Sequence, residues 1–271
     1  MLQSHPCFLT PKALKPQFPL FVFLPGMDGT GQLLRAQTAG LEVGFDVRCL
    51  AIPPDDLTSW EELAQQVIDL IKAEIDGDKP RSIYLCGESF GGCLAMKVAA
   101  MAPHLFDRLI LVNPASSFHR RPWIAWGATF TRYLPEVLYQ CSSVTFLPLL
   151  ASFHKIAPPD RQALVDAVRS VPQKTSVWRM SLLDQFQVPG DELSSLTQPT
   201  LILASANDRL LPSMVEGFRL KAVFKTAQVV VLPDSGHTCL LETDVNLYDI
   251  MKQQDFLTSE EEASLAFADR N

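Results

Sequence analysis

Ser89 stands in Gly87-Glu88-Ser89-Phe90-Gly91, directly after an apolar run at 83–86 and ahead of a helix-like segment that opens Gly91-Gly92. A chain that turns sharply from strand to helix at a serine lifts the hydroxyl onto a strained corner. The neighbouring positions must then be small for the backbone to pass. The helix that follows aims unpaired N–H groups and the positive end of its dipole at the same point. A phosphate-binding loop is also glycine-rich, but no lysine follows at P-loop spacing and G-x-G-x-x-G is absent. The chemistry this arrangement serves is nucleophilic attack by Ser89.

A serine hydroxyl is a weak nucleophile until a base takes its proton, and the base needs a carboxylate to hold it in the right tautomer. Five histidines are available, at positions 5, 104, 119, 154 and 237. His237 alone follows a late apolar run, in Pro233-Asp234-Ser235-Gly236-His237, and is the expected base. Asp208 closes TLILASAND (200–208), at the carboxyl edge of an expected strand, where open sheets place their ligands. It is the expected acid; Asp234 is the alternative, better suited to shaping the loop before His237. The oxyanion formed during attack needs two backbone N–H donors. Phe90, next after the nucleophile, is expected to give one. Met27, in Pro25-Gly26-Met27-Asp28-Gly29-Thr30-Gly31, is expected to give the other. Asp28 is expected to hold that loop by accepting from backbone N–H groups, because its charge would oppose the one that develops.

The elements that must position these residues are legible as well. PLFVFLPG (19–26), FDVRCLAIP (45–53), SIYLCGES (82–89), RLILVNPA (108–115), TLILASAND (200–208) and AQVVVLPDSGH (227–237) read as strands. They are continuously apolar rather than alternating, as in strands buried on both faces. Between them, 59–75 carries Leu63, Val67, Leu70 and Ile71 at helical spacing, with Ser59 placed to cap it and Glu61 and Glu62 at its positive end. The segment 90–103 reads as a helix stopped by Pro103, and 160–171 as another. Strands alternating with helices predict an α/β fold with a mostly parallel central sheet flanked by helices. The expected division is an N-terminal segment (1–18), a first core part (19–115), a helical cap inserted between sheet strands (116–195) and a second core part (196–271). Trp123, Trp126 and Phe130 fall in the cap, where they suit a lid over a lipid-sized pocket or contact with a bilayer; ordinary packing of the cap is an equal reading.

Bulk properties narrow the class. A length of 271 residues suits one large domain, and the net charge of −7 argues against a nucleic-acid partner. Six scattered cysteines show no C-x-x-C and no metal-ligand spacing, so they read as reduced, with no metal and no cofactor expected. The first 19 residues contain four prolines and no continuous apolar core, unlike a signal peptide. The longest apolar runs, such as 144–153, fall well short of the roughly 20 residues a membrane span needs. The expected location is cytoplasmic, peripheral to thylakoid membrane or lipid droplets.

FLPGMDGTG (23–31), VRCLAIPPDD (47–56), IYLCGESFGGCLAMKVAA (83–100) and LILVNPASSF (109–118) together resemble the phytyl ester synthase-like branch of the α/β-hydrolases, found in plastids and cyanobacteria. The resemblance spans roughly 19–118 and then the Asp208 and His237 motifs. It implies the α/β-hydrolase fold and an enzyme related to esterases, lipases and thioesterases that transfers fatty acyl groups onto hydrophobic alcohols. The implied donors are acyl-CoA, acyl carrier protein or a galactolipid. The implied acceptors are phytol, another isoprenoid alcohol, diacylglycerol or a quinol. Plant members continue into a second acyltransferase-like domain with H-x-x-x-x-D. None of the five histidines here has Asp at that spacing, so transfer is expected to run through Ser89 alone. Whether an alcohol or water then takes the acyl group depends on how well the pocket excludes water. Transfer leads; a plain esterase or thioesterase is the alternative, and a binding module without turnover is disfavoured by the complete Ser, Asp and His set.

Overall fold

The six apolar runs all fold as strands, and one more joins them. The structure, a computed structural model, describes residues 5–75, 81–120, 135, 139 and 147–258. Its strands are β1 (Cys7–Leu9), β2 (Leu20–Leu24), β3 (Asp46–Ala51), β4 (Ile83–Glu88), β5 (Arg108–Val112), β6 (Thr200–Ser205) and β7 (Ala227–Leu232). β2 shows why the runs are continuous. Leu20, Val22 and Leu24 enter the core on one side of the sheet, and Phe21 and Phe23 enter the core on the other, all fully buried. Each such side chain stabilises the fold by about 1.5–3 kcal/mol, so a polar residue anywhere in this strand is costly.

Two strands differ from expectation. β1 lies in the N-terminal segment and pairs antiparallel with β3, Cys7 opposite Ala51. β7 is the opposite edge of the sheet and is only partly buried, with Val231 exposed. An apolar edge strand and an apolar central strand look alike in sequence, because neighbour count is not a local property.

Nine helices are described: α1 (Thr38–Leu41), α2 (Trp60–Ile75), α3 (Phe90–Met101), α4 (Leu147–Leu150), α5 (Pro158–Ser170), α6 (Gln173–Asp184), α7 (Gly190–Ser195), α8 (Ser213–Val223) and α9 (Leu247–Gln253). At the start of α2, Glu62 N–H donates to Ser59 Oγ at 3.2 Å, and Ser59 N–H donates back to Glu62 Oε2 at 3.1 Å. This reciprocal capping satisfies two donors that the helix itself leaves open. Leu63, Val67 and Ile71 are buried on its inner face, with Leu70 packed at the margin. Helices α2 and α3 cover one face of the sheet, while α1 and α9 cover the other.

The strand order is β1-β3-β2-β4-β5-β6-β7, parallel except for β1. After the edge strand β1 the chain enters the sheet's interior at β2, steps out to β3, and returns to the far side of β2 as β4. The loops after β2 and β4 therefore leave the sheet side by side in opposite directions, which opens a crevice at the carboxyl ends of the strands. That crevice receives both Ser89 and the 25–31 loop. Between the paired strands β5 and β6 the described chain runs through α4 to α7, with no named strand, in the region expected to form the cap. Trp123, Trp126 and Phe130 lie outside the described residues. Among the described residues no helix is long and apolar enough to cross a membrane.

Candidate active site

Ser89 occupies the corner between β4 and α3 with φ +55° and ψ −112°, a region that non-glycine residues rarely adopt. The strain is held from several sides. Ser89 N–H donates to Val112 O at 3.0 Å, and Ser89 O accepts from Gly92 N–H and Ala115 N–H, each at 3.0 Å. Small neighbours are obligatory: a Cβ on Gly87 would stand 2.1 Å from Gly91 O, and one on Gly91 would stand 2.0 Å from Leu24 O.

His237 reaches this corner from the loop after β7, and Asp208 from three residues beyond the end of β6. His237 Nε2 lies 2.8 Å from Ser89 Oγ, and His237 Nδ1 lies 2.7 Å from Asp208 Oδ2. An ionised carboxylate only accepts, so Nδ1 carries the proton and Nε2 is left to accept from the Ser89 hydroxyl. Asp208 is fixed on both oxygens. Oδ1 accepts from Leu210 N–H and Leu211 N–H at 2.9 Å, and Oδ2 accepts from Ser213 Oγ as well as from His237. Burial alone would raise its carboxyl, but the His237 imidazole and these hydrogen bonds hold it below its ordinary value. Burial works against the charged form of His237 too, yet the Asp208 charge and hydrogen bond win and raise it above its ordinary value. The alternative acid, Asp234, is exposed, as are the other four histidines.

Two residues outside the sequence reading complete the support. Asn113, at the end of β5 with φ +42°, donates from Nδ2 to His237 O at 2.8 Å and to Ser205 Oγ at 2.9 Å. Its Oδ1 accepts from Ser205 N–H at 2.8 Å, so one amide ties β5, β6 and the His237 loop together. An Asn directly after a strand and before Pro114 is a recognisable left-handed turn residue, which is the signal that would have found it. The second is Arg179 of α6, 2% exposed, whose Nη1 donates to Met27 O at 2.6 Å and whose Nη2 donates to Pro53 O at 3.3 Å. It sits on the buried stripe Thr175, Ser176, Arg179, Leu182, Leu183, a face too polar for sequence periodicity to mark it as inward-facing.

The 25–31 loop stands against the nucleophile: a Cβ on Gly26 would lie 3.9 Å from Ser89 Cβ. Gly29 N–H donates to Gly26 O at 3.0 Å, which turns the N–H of the same peptide, that of Met27, to the opposite side. Asp28 Oδ2 accepts from Thr30 N–H at 2.8 Å and from Thr30 Oγ1 at 2.5 Å, the loop-holding role expected of it. Phe90 begins α3, so its N–H is among those the helix leaves unpaired. Its ring stacks on Trp60 at 4.5 Å, which fixes the start of α3 against α2. The arrangement has the parts for proton transfer from a hydroxyl and for stabilising an adjacent oxyanion. Among the described residues no group of His, Cys, Asp or Glu is placed to hold a metal ion.

Glu88, next to Ser89, is 5% exposed, and its Oε1 has no hydrogen-bond partner. Burial pushes its carboxyl up to about 8, opposed by His237 and assisted by Asp28. A folded value above the ordinary 4.5 means that the native state holds a proton the unfolded chain releases. Stability from this group is therefore full below about pH 4.5 and declines as pH rises towards about 8. Glu88→Gln keeps the neutral shape without that loss. Its melting temperature should match wild type near pH 4.5 and exceed it increasingly up to pH 8, in thermal melts across that range. A gap that does not change with pH would contradict a buried neutral Glu88.

Comparisons with known proteins agree with the fold. A family model described as the alpha/beta hydrolase family matches residues 21–248. Phytyl ester synthase 1, chloroplastic, of Arabidopsis thaliana is 32% identical over 256 residues, covering 86% of this chain and 36% of that protein. The chain thus spans about a third of the length of that curated relative. The pimeloyl-acyl-carrier-protein methyl ester esterase of Pseudoalteromonas atlantica is 23% identical over 252 residues, covering 86% of this chain and 93% of that one. The solved structure of MenH from S. aureus superposes with a TM-score of 0.70 at 20% identity, covering 96% of this chain and 100% of that one, a likeness of fold.

Proposed function

From the premise that this chain belongs to the alpha/beta hydrolase family and is an enzyme of that fold, we propose that it transfers fatty acyl groups through an ester on Ser89 to a lipophilic alcohol. The observation that carries the reading is the unbroken relay from Asp208 through His237 to Ser89, with spacings of 2.7 and 2.8 Å.

In this reading Ser89 Oγ attacks the acyl carbonyl carbon while His237 Nε2 takes the hydroxyl proton. Asp208 stabilises the imidazolium without itself taking the proton. The carbonyl oxygen becomes an oxyanion, met by the N–H groups of Met27 and Phe90. Collapse of the tetrahedral adduct breaks the bond to the leaving group, which departs with the proton from His237. An alcohol hydroxyl then gives its proton to His237 and attacks the Ser89 ester, and the second collapse returns the proton to Ser89. Water entering in place of the alcohol makes the same enzyme a hydrolase.

The name of the Arabidopsis thaliana relative, a phytyl ester synthase, supports the alcohol as acceptor. Phytol, another isoprenoid alcohol, diacylglycerol and a quinol are the acceptors proposed, with acyl-CoA, acyl carrier protein or a galactolipid as donor. The cap proposed over 116–195 shields the acyl-enzyme from water in this reading. Hydrolysis is the second reading, favoured by the esterase that matches over 93% of its own length. Incubation with a labelled acyl donor, with and without each alcohol, decides between them. The proposal expects labelled ester to exceed free acid once phytol or another lipophilic alcohol is present. Free acid alone, unchanged by every alcohol, would make the enzyme a hydrolase.

A further inference from the structure

We propose that Arg179 is a positioning residue for the oxyanion hole, through which α6 sets the orientation of the Met27 peptide. The proposal rests on the acyl-transfer reading above and names a residue that neither chain order nor motif assigns to it. Among the described residues Arg179 is the largest of the fully buried side chains. A buried guanidinium is retained at a cost in desolvation, and it needs hydrogen bonds that fill its fork. Here those bonds go to two backbone carbonyls, Met27 O in the loop after β2 and Pro53 O in the loop after β3. The charge thus ties the loop after β2, which frames the crevice, to the loop after β3, with the Asp28 and Asp56 carboxylates supplying opposing charge nearby.

The consequence for Met27 follows from peptide planarity. Met27 lies between two peptide planes, and each is held by its carbonyl. Gly26 O accepts from Gly29 N–H at 3.0 Å, and Met27 O accepts from Arg179 Nη1 at 2.6 Å. With both planes fixed, the Met27 N–H has one direction available, away from the Gly26 turn. The loop is built around the guanidinium: Gly29 has φ +69°, and a Cβ there would stand 2.7 Å from Arg179 Nη1. Arg179 also touches the second donor residue, its guanidinium carbon lying 6.0 Å from the Phe90 ring centroid. One side chain from α6 therefore holds the Met27 carbonyl and stands against the ring of the second donor residue.

The test uses the full chain with Arg179→Met and Arg179→Lys, assayed on an ester substrate and with a trifluoromethyl ketone that adds to Ser89 as an oxyanion-bearing hemiketal. Losing one well-placed donor lowers kcat by about 10²- to 10³-fold in comparable sites. Arg179→Met is expected to lose about 10²-fold in kcat with KM nearly unchanged, and to bind the trifluoromethyl ketone more weakly by the same factor. Arg179→Lys keeps the charge but not the fork and should recover part of both. If Arg179→Met does not fold, as read by its melt, Arg179→Lys carries the same two readouts. A folded variant with wild-type kcat, or one whose loss lies in KM alone, overturns the proposal. Failure of the underlying reading would show elsewhere, as a wild-type enzyme that the trifluoromethyl ketone does not inhibit.

Discussion

Replacing Ser89 by alanine will reduce turnover of any acyl donor by on the order of 10⁶-fold, the loss seen when such a nucleophile is removed, while the protein stays folded and still binds substrate. Among the described residues no other hydroxyl is hydrogen-bonded to His237 Nε2. The relay ends on Ser89 Oγ, 2.8 Å from His237 Nε2, and the backbone there is held at φ +55° by hydrogen bonds to its own N–H and carbonyl. Alanine fits the same corner, because removing Oγ leaves the Val112, Gly92 and Ala115 hydrogen bonds in place. Activity lost therefore reports chemistry rather than folding. Turnover within tenfold of wild type would remove Ser89 from the mechanism.

Asp208→Asn should cost about 10⁴-fold in kcat, through the wrong imidazole tautomer. The asparagine amide turned towards His237 donates to Nδ1, which moves the ring proton to Nε2 and leaves no acceptor for the Ser89 hydroxyl. If the amide oxygen faces His237 instead, the charge that raises His237 is still lost. Asp234→Asn is the control, because that side chain is exposed and should change kcat little. A mild effect at Asp208 with a severe one at Asp234 would transfer the orienting role. Melting curves accompany both variants, since Asp208 Oδ1 also anchors the Leu210 and Leu211 N–H groups.

Much of this site was legible because its constraints are local. Ser89 needs small neighbours at Gly87 and Gly91, and sequence shows small neighbours. His237 and Asp208 each follow an apolar run that becomes a strand, so their place at the carboxyl edge follows from chain order. The strand is shorter than its apolar run TLILASAND: ladder pairing ends at Ser205, and Asp208 sits in the turn beyond it. What sequence did not show depends on neighbours distant along the chain. β1 is three residues between prolines, and only its pairing with β3 makes it a strand. β7 is as apolar as a central strand, yet nothing pairs with its outer edge among the described residues. Arg179 is recognisable only once α6 is known to face inward and the 25–31 loop is known to lie beneath it. Asn113 likewise gains its meaning from Ser205 and His237, 92 and 124 residues away.

The central claim is a covalent one, that acyl groups pass through Ser89, and a fluorophosphonate tests it without any assumption about donor or acceptor. The reagent reacts with a serine whose proton a neighbouring base removes, and the phosphonyl adduct does not turn over. Peptide mass analysis of the labelled wild-type chain is predicted to place one adduct on Ser89, with parallel loss of activity and no adduct in Ser89→Ala. An adduct on another residue, or none on a protein that goes on turning over acyl donors, would contradict the account.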